Sequence, residues 1–141
     1  MYLSIITSVI FLATACYAQT DVSNMIKAGD ILRADLEPKQ GQEMGKTRPV
    51  VIVQNDAITA LNLETVVVAP LSTNLDKRAI EQLGIILPRI KARDDLPYDS
   101  VILPDQLRSI SVYRFVQPVK ILTTLSILEK KMLRETIDRI L

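Results

Sequence analysis

From Asp30 to Asp35 apolar and polar residues alternate, the period-two signature of a strand with one buried face. The polar stretch from Glu37 to Thr47 carries the glycines Gly41 and Gly45 and predicts a hairpin-like loop. Pro49–Gln54 (PVVIVQ) and Thr65–Leu71 (TVVVAPL) are β-branched runs that predict two central strands, with a short helical turn between them from Asp56 through Leu61. Further short strands are predicted at Gly84–Leu87, Ser100–Leu103 and Phe115–Leu122, separated by loops that contain proline and charge. The period then changes. Ser126 and Glu129 stand as a capping-box pair, and Leu128, Met132, Leu133, Ile137, Ile140 and Leu141 recur at helical spacing. Several short strands followed by one amphipathic helix predict a mainly β barrel with a C-terminal α-helix packed on it.

Ahead of this pattern lies a segment of a different kind. Tyr2–Ala18 is uncharged and largely apolar, broken by Ser4, Thr7, Ser8 and Thr14, and it ends in small residues. That resembles a secretory signal core, yet no basic residue precedes Lys27 and the first charge is Asp21, so the usual basic flank is missing. The segment is also short and hydroxyl-rich for a spanning helix, which needs about 20 predominantly apolar residues. Met25 opens the run MIKAGDI and has the form of a natural start. Residues 1–24 therefore read as an N-terminal extension, from an upstream start or a signal-like segment, and residues 25–141 as the functional domain, with no membrane role expected for them.

A chain of 141 residues suits one compact domain. Its single cysteine, Cys16, cannot form an internal disulfide, and with no histidine the usual Cys/His zinc site is excluded, so no metal and no cofactor are expected. The missing histidine also removes the side chain best suited to proton transfer near neutrality, leaving carboxylates, Tyr, Lys and Arg for acid–base work. Net charge is +1, so any nucleic-acid footprint has to be local. Arg89, Lys91 and Arg93, with Lys77 and Arg78 upstream, form one such candidate, and a solvated charge run beside Asp94 and Asp95 is the alternative.

The most specific segment is GQEMGKTRPVVIVQND, residues 41–56, in which a Gly-x-Glu loop leads into an Arg-Pro dipeptide that opens an apolar strand. It resembles the signature of the MazF/PemK toxin family, with Gly41, Glu43, Gly45, Arg48 and Pro49 matching its elements. The resemblance continues through GDILRADLEP (29–38), VVVAPLSTN (66–74) and DSVILPDQLRSI (99–110), in the family's order and over most of residues 25–141.

Cleaving RNA through its own 2′-hydroxyl requires a site that removes that proton, stabilises negative charge on the phosphorus oxygens and protonates the departing 5′-oxygen. Arg48 suits the second task, because a guanidinium stays charged and offers a planar fork to two phosphate oxygens. A surface ion pair with Glu43 or Glu37 is its structural alternative. The alignment with the family places Ser72 at the functional hydroxyl position opposite the arginine, with Thr73 beside it. Ser-Thr-Asn at a strand end is equally ordinary turn chemistry, which would account for Ser72, Thr73 and Asn74 without substrate. Glu43 is a candidate general base if partial burial raises its pKa, or else holds the loop by accepting backbone N–H groups or pairing with Arg48. Lys46, Thr47, Thr73, Asn74 and Arg108 are candidate substrate contacts; for Arg108 a strand-pairing role is the alternative. Gly41 and Gly45 shape the loop through the positive φ that glycine permits.

What the resemblance implies is an SH3-like barrel of the MazF/PemK type and a metal-independent endoribonuclease toxin of a type II toxin–antitoxin pair. Such a toxin cuts single-stranded mRNA to leave a 2′,3′-cyclic phosphate and a 5′-hydroxyl. The implied partners are single-stranded RNA, a second copy of the chain, a cognate acidic antitoxin and, through the antitoxin complex alone, promoter DNA; the implied location is cytoplasmic. Two rivals share the fold. A gyrase-inhibiting toxin ends in a Trp-containing tail, whereas this chain has no Trp and ends IDRIL. A non-catalytic SH3-like module for proline peptides needs an aromatic groove, and after Met25 the aromatics are Tyr98, Tyr113 and Phe115.

Overall fold

A computed structural model describes residues 22–141. The strands are β1 (Asp30–Asp35), β2 (Thr47–Ile52), β3 (Thr65–Ser72), β4 (Arg89–Ile90), β5 (Ser100–Ile102), β6 (Arg108–Ser111) and β7 (Ile121–Thr124). Besides the helical residues 22–25, the helices are a single turn, α1 (Asp56–Thr59), capped by the Asn55 side chain, and a C-terminal α2 (Ile127–Ile140). The strands pair antiparallel in the order β4-β5-β3-β2-β1-β7, and β6 adds to β3 beside them. Beyond β6 the chain makes a 3₁₀ turn, Val112–Arg114, and Phe115 then pairs with Ala34 on β1. That bridge curls β1, β2, β3 and β6 around on themselves, so the predicted barrel is present.

The two β-branched runs are continuous in sequence because the sheet is buried on both faces. Leu32, Ala34, Val50, Ile52, Val66 and Val68 point inward to a cluster with Ile110 and Phe115. The alternate residues Ile31, Val51, Ala69 and Leu71 point outward to a second cluster that α2 covers with Leu133. Burying each such side chain contributes about 1.5–3 kcal/mol.

Several boundaries differ from the sequence reading. Gly84–Leu87 is not a strand: Gly84, at φ 79°, ends the 3₁₀ turn Ala79–Leu83, and pairing begins only at Arg89. The predicted strand Phe115–Leu122 is reduced to the bridge at Phe115 and the separate β7, because Pro118 has no N–H to give to a ladder. On α2, Leu128 and Met132 are 73% and 53% exposed, so the helix packs through Leu133, Thr136 and Ile137 instead. Val22 is buried in the inner cluster and Ile26 N–H donates to its carbonyl at 3.2 Å, so the packed unit reaches back past Met25. The remainder of the apolar extension lies outside the described residues.

The start of α2 is built as its sequence predicts. Ser126 Oγ accepts from Glu129 N, and Glu129 Oε1 accepts from Ser126 N at 2.8 Å. Glu129 also takes both prongs of Arg93, at 2.8 and 3.0 Å, which ties the helix to the turn after β4. Desolvation by itself would raise the Glu129 pKa, but the hydrogen bonds from Arg93 and Ser126 outweigh it, and the carboxyl sits below its ordinary value. A depressed folded pKa gives stability that is present above the unfolded value of about 4.3 and lost as pH falls through the folded one. Glu129→Ala is therefore expected to cost roughly 1–2 kcal/mol at pH 7. In urea titrations at a series of pH values, its deficit relative to the parent should shrink below about pH 4. A deficit that stays constant down to pH 2 would assign the loss to packing alone.

Candidate active site

The β2–β3 register pairs Val50 with Pro70 and Ile52 with Val68. That pairing ends at Val50–Pro70; Arg48 on β2 and Ser72 on β3 each lie two residues beyond it, on the inward side by strand alternation, and Ser72 is there paired with Val101 of β5. Arg48 is half-buried, with Nε donating to the Gly45 carbonyl at 2.8 Å and Nη1 reaching the Leu71 carbonyl at 3.4 Å. Burial lowers its pKa from the ordinary guanidinium value. None of the ion pairs among the described residues involves it: the carboxylates so engaged are Glu81, Glu129 and Asp95. The surface ion pair weighed for Arg48 is thus not formed, and its fork is oriented by two carbonyls from opposite sides of the site.

Ser72 is buried at the end of β3, and its Oγ accepts from Asn74 N–H at 3.2 Å. Turn chemistry therefore operates here, while the Ser72 hydroxyl proton is left to donate. Asn74 Oδ1 accepts from Asp76 N–H at 3.1 Å, which commits the Asn74 side chain to the turn, and Thr73 is exposed beside it. Thr47 pairs with Asp35, and strand alternation puts its side chain on the face away from Arg48.

Glu43 and Arg108, far apart in sequence, meet in a cleft of about 200 Å³ that is also lined by Met44, Pro70 and Gln106. Met44 and Pro70 adjoin Gly45 and Leu71, the residues whose carbonyls hold Arg48, so the cleft abuts the Arg48–Ser72 pair. Arg108 is opposite Val68 on β3 and donates through Nη1 to the Leu36 carbonyl at 3.1 Å. It fulfils the strand-side role and still presents the rest of its fork to the cleft. Glu43 is exposed on the rim, without the partial burial that the general-base reading asked for. Gln106, two residues before Arg108 in the segment DSVILPDQLRSI, is a cleft residue that the sequence did not single out.

The loop-holding role weighed for Glu43 belongs to Glu37. Its carboxylate accepts from Lys39 N–H at 3.2 Å and from Lys46 N–H at 2.5 Å. Gly41 does use positive φ, 55°. Gly45 has a different role: a Cβ there would meet Glu37 Oε1 and displace that carboxylate. Lys46 takes the left-handed conformation at φ 64° and its side chain is exposed.

The candidate basic run is neutralised in part. Arg89 pairs with Glu81 at 3.1 Å and Arg93 with Glu129, while Lys77, Arg78 and Lys91 take part in none of the ion pairs among the described residues. Among the described residues no group of three His, Cys, Asp or Glu side chains is placed to hold a metal ion, and no helix is long and apolar enough to cross a membrane.

Comparison with known proteins gives a consistent picture. Residues 27–141 match the PemK-like, MazF-like toxins of type II toxin–antitoxin systems. The endoribonuclease MazF of Staphylococcus saprophyticus is 38% identical over 114 residues, covering 81% of this chain and 89% of its own. Among solved structures, MazF from Deinococcus radiodurans superposes with a TM-score of 0.62 at 16% identity, covering 81% of this chain and 94% of that one. A MazE–MazF crystal structure from the same organism gives 0.59 at 16% identity, with coverages of 81% and 93%.

Proposed function

The chain belongs to the PemK-like, MazF-like toxin family of type II toxin–antitoxin systems, and on that premise we propose that it cuts single-stranded RNA without a metal. In this reading the ribose 2′-oxygen attacks the neighbouring phosphorus, the bond from phosphorus to the 5′-oxygen breaks, and the products are a 2′,3′-cyclic phosphate and a 5′-hydroxyl. The proton leaves the 2′-hydroxyl and one is delivered to the departing 5′-oxygen, so no further reagent is consumed.

The observation that carries this reading is Arg48: half-buried, in none of the ion pairs among the described residues, and aimed by carbonyls of the loop and of β3, the latter from Leu71, next to Ser72. A preorganised cation beside a neutral donor suits the extra charge on a pentacoordinate phosphate, which a carboxylate in the same place would repel. The carboxylates lining the neighbouring cleft are Glu43 and Asp105, and of these Glu43, on the loop that carries Arg48, is assigned to take the 2′-proton while Arg48 stays charged. Arg108, Lys46 and Thr73 border the path of the strand, with Thr47 and Asn74 more remote because their side chains point away or are committed to the turn.

The same reading assigns the partners. The S. saprophyticus relative is an endoribonuclease and the D. radiodurans homologue is seen with MazE, so a cognate antitoxin with acidic side chains is expected to cover the Arg48 face. Promoter DNA would then be reached only through that complex. A second copy of the chain is the expected cover for the exposed row Ile127, Leu128 and Met132, and the cytoplasm, where mRNA is translated, is the place of action.

The test is incubation of the whole chain with a long RNA in EDTA, followed by mapping of the cut ends. Cleavage should persist in chelator and leave 5′-hydroxyl ends. Activity that needs added Mg²⁺, or 5′-phosphate products, would overturn the mechanism.

A further inference from the structure

The loop that aims Arg48 is itself held by one side chain. We infer that Glu37 is a positioning residue for the reaction: by clamping the lip of the β1–β2 loop, it fixes the Gly45 carbonyl that orients the Arg48 guanidinium. The inference rests on the proposed nuclease reading for its kinetic consequences and on geometry alone for the clamp.

The base of the loop is gripped by cations from beyond β3. Arg114 Nη1 donates to the carbonyls of Asp35 and Glu37, and Arg108 Nη1 donates to that of Leu36. The other end of the loop is reached by the Glu37 carboxylate, which crosses nine residues to take the Lys46 N–H while its second oxygen takes the Lys39 N–H. Lys46 is at φ 64°, a conformation that side chains other than glycine rarely adopt and that persists only where its surroundings impose it. A charged acceptor on its N–H is such an imposition. The Leu36 N–H bond to the Lys46 carbonyl, 3.0 Å, closes the ladder on the same residue.

Gly45 lies directly under this clamp. The space its missing Cβ would fill is occupied by Glu37 Oε1, with Lys39 Cδ 3.0 Å away, so the carboxylate is packed onto the peptide that ends in the Gly45 carbonyl. That carbonyl accepts Arg48 Nε at 2.8 Å. Glu37 therefore touches no substrate group; it acts on Arg48 through one intervening peptide. With Glu37 gone, the Lys46 N–H loses its acceptor, the left-handed residue relaxes, and Arg48 keeps only the longer 3.4 Å bond to Leu71.

The experiment uses the full-length protein with Glu37→Ala, Glu37→Gln and Gly45→Ala, each read in two ways. The first readout is the Arg48 Nε–H resonance, identified by its loss in Arg48→Lys, and its exchange rate with water. The second is kcat and KM on a long RNA in EDTA. Glu37→Ala should speed the exchange about tenfold or more, as expected when a hydrogen bond of ordinary strength is released. It should also lower kcat by about 10- to 100-fold with KM within about twofold, since a displaced catalytic group costs rate more than binding. Glu37→Gln keeps an acceptor for Lys46 and should recover most of both losses. Gly45→Ala, which evicts the carboxylate, should reproduce Glu37→Ala, and the double variant should add little to either. If Glu37→Ala does not fold, Glu37→Gln and Gly45→Ala decide. Slow Arg48 exchange and normal kcat in a folded variant without the carboxylate contact would overturn the assignment. An unmutated protein that fails to cut RNA would defeat the nuclease reading, while the exchange measurement would still settle the clamp.

Discussion

Phe115→Ala is expected to lower the unfolding free energy by about 3–4 kcal/mol, the ordinary cost of emptying a large buried aromatic site. Phe115 is 2% exposed and packs in the inner cluster with Leu32, Val50, Val66 and Ile110. Its backbone also bridges to Ala34, and the next N–H, that of Val116, donates to the Arg33 carbonyl at 3.0 Å, so the side chain fills the cluster at the point where the barrel closes. Among the described residues no other aromatic is buried. Domains of this size hold only about 5–15 kcal/mol in reserve, so the loss should be plain in a urea midpoint. Phe115→Leu restores most of the volume and should cost less than about 1.5 kcal/mol. If Phe115→Ala instead cost under about 1 kcal/mol, the closing bridge would have to be held by its backbone contacts and not by the cluster.

The parts of this fold that could be read from sequence are those whose signal is local. The runs at Pro49–Gln54 and Thr65–Leu71 became β2 and β3 because β-branched residues buried on both faces leave no room for alternation. Ser126 and Glu129 cap α2 because the motif and its hydrogen bonds lie within one turn. What escaped was set by distant partners. Leu128 and Met132 have the right spacing to face the barrel, but the row that does so is fixed by where β7 delivers the helix, and that row is Leu133 and Ile137. Arg89 and Arg93 read as a basic run because Glu81 and Glu129, which neutralise them, arrive from elsewhere in the chain.

The site divides in the same way. Arg48 was singled out by its Arg-Pro motif and Ser72 by the resemblance to the family, and the two lie on neighbouring strands, each two residues beyond the last β2–β3 pair. The meeting of Glu43 with Arg108 across one cleft depends on how the β1–β2 loop folds over β6, which no spacing along the chain encodes. Glu37 entered the sequence reading only as an alternative ion-pair partner for Arg48, not as a holder of the loop. Its importance arises from a carboxylate that turns back onto Lys46, and the only trace in the sequence is a glycine at position 45 whose reason is steric and not conformational.

The last expected result concerns the pair on which the functional reading rests. Arg48→Lys keeps a positive charge but loses Nε, which now holds the Gly45 carbonyl, and loses the planar fork that can serve two phosphate oxygens at once. Activity in EDTA should fall by at least about 10²-fold with the fold retained, since that is the usual cost of one preorganised donor. Ser72→Ala removes a single neutral donor and should cost less, about 1–2 kcal/mol of transition-state stabilisation. Part of that loss will come from the turn, because Ser72 Oγ also accepts from Asn74 N–H. Asn74→Ala, which disturbs the same turn through Asp76, measures that share. If Arg48 and Ser72 act on one phosphate, the double variant should lose less than the sum of the single losses, as residues that work as a unit do. Strict additivity would place them on separate steps. Near-normal cleavage by folded Arg48→Ala protein would be the decisive negative, for it would leave the Arg-Pro motif a structural feature of β2 and return the chemistry to the cleft that Glu43 and Arg108 share.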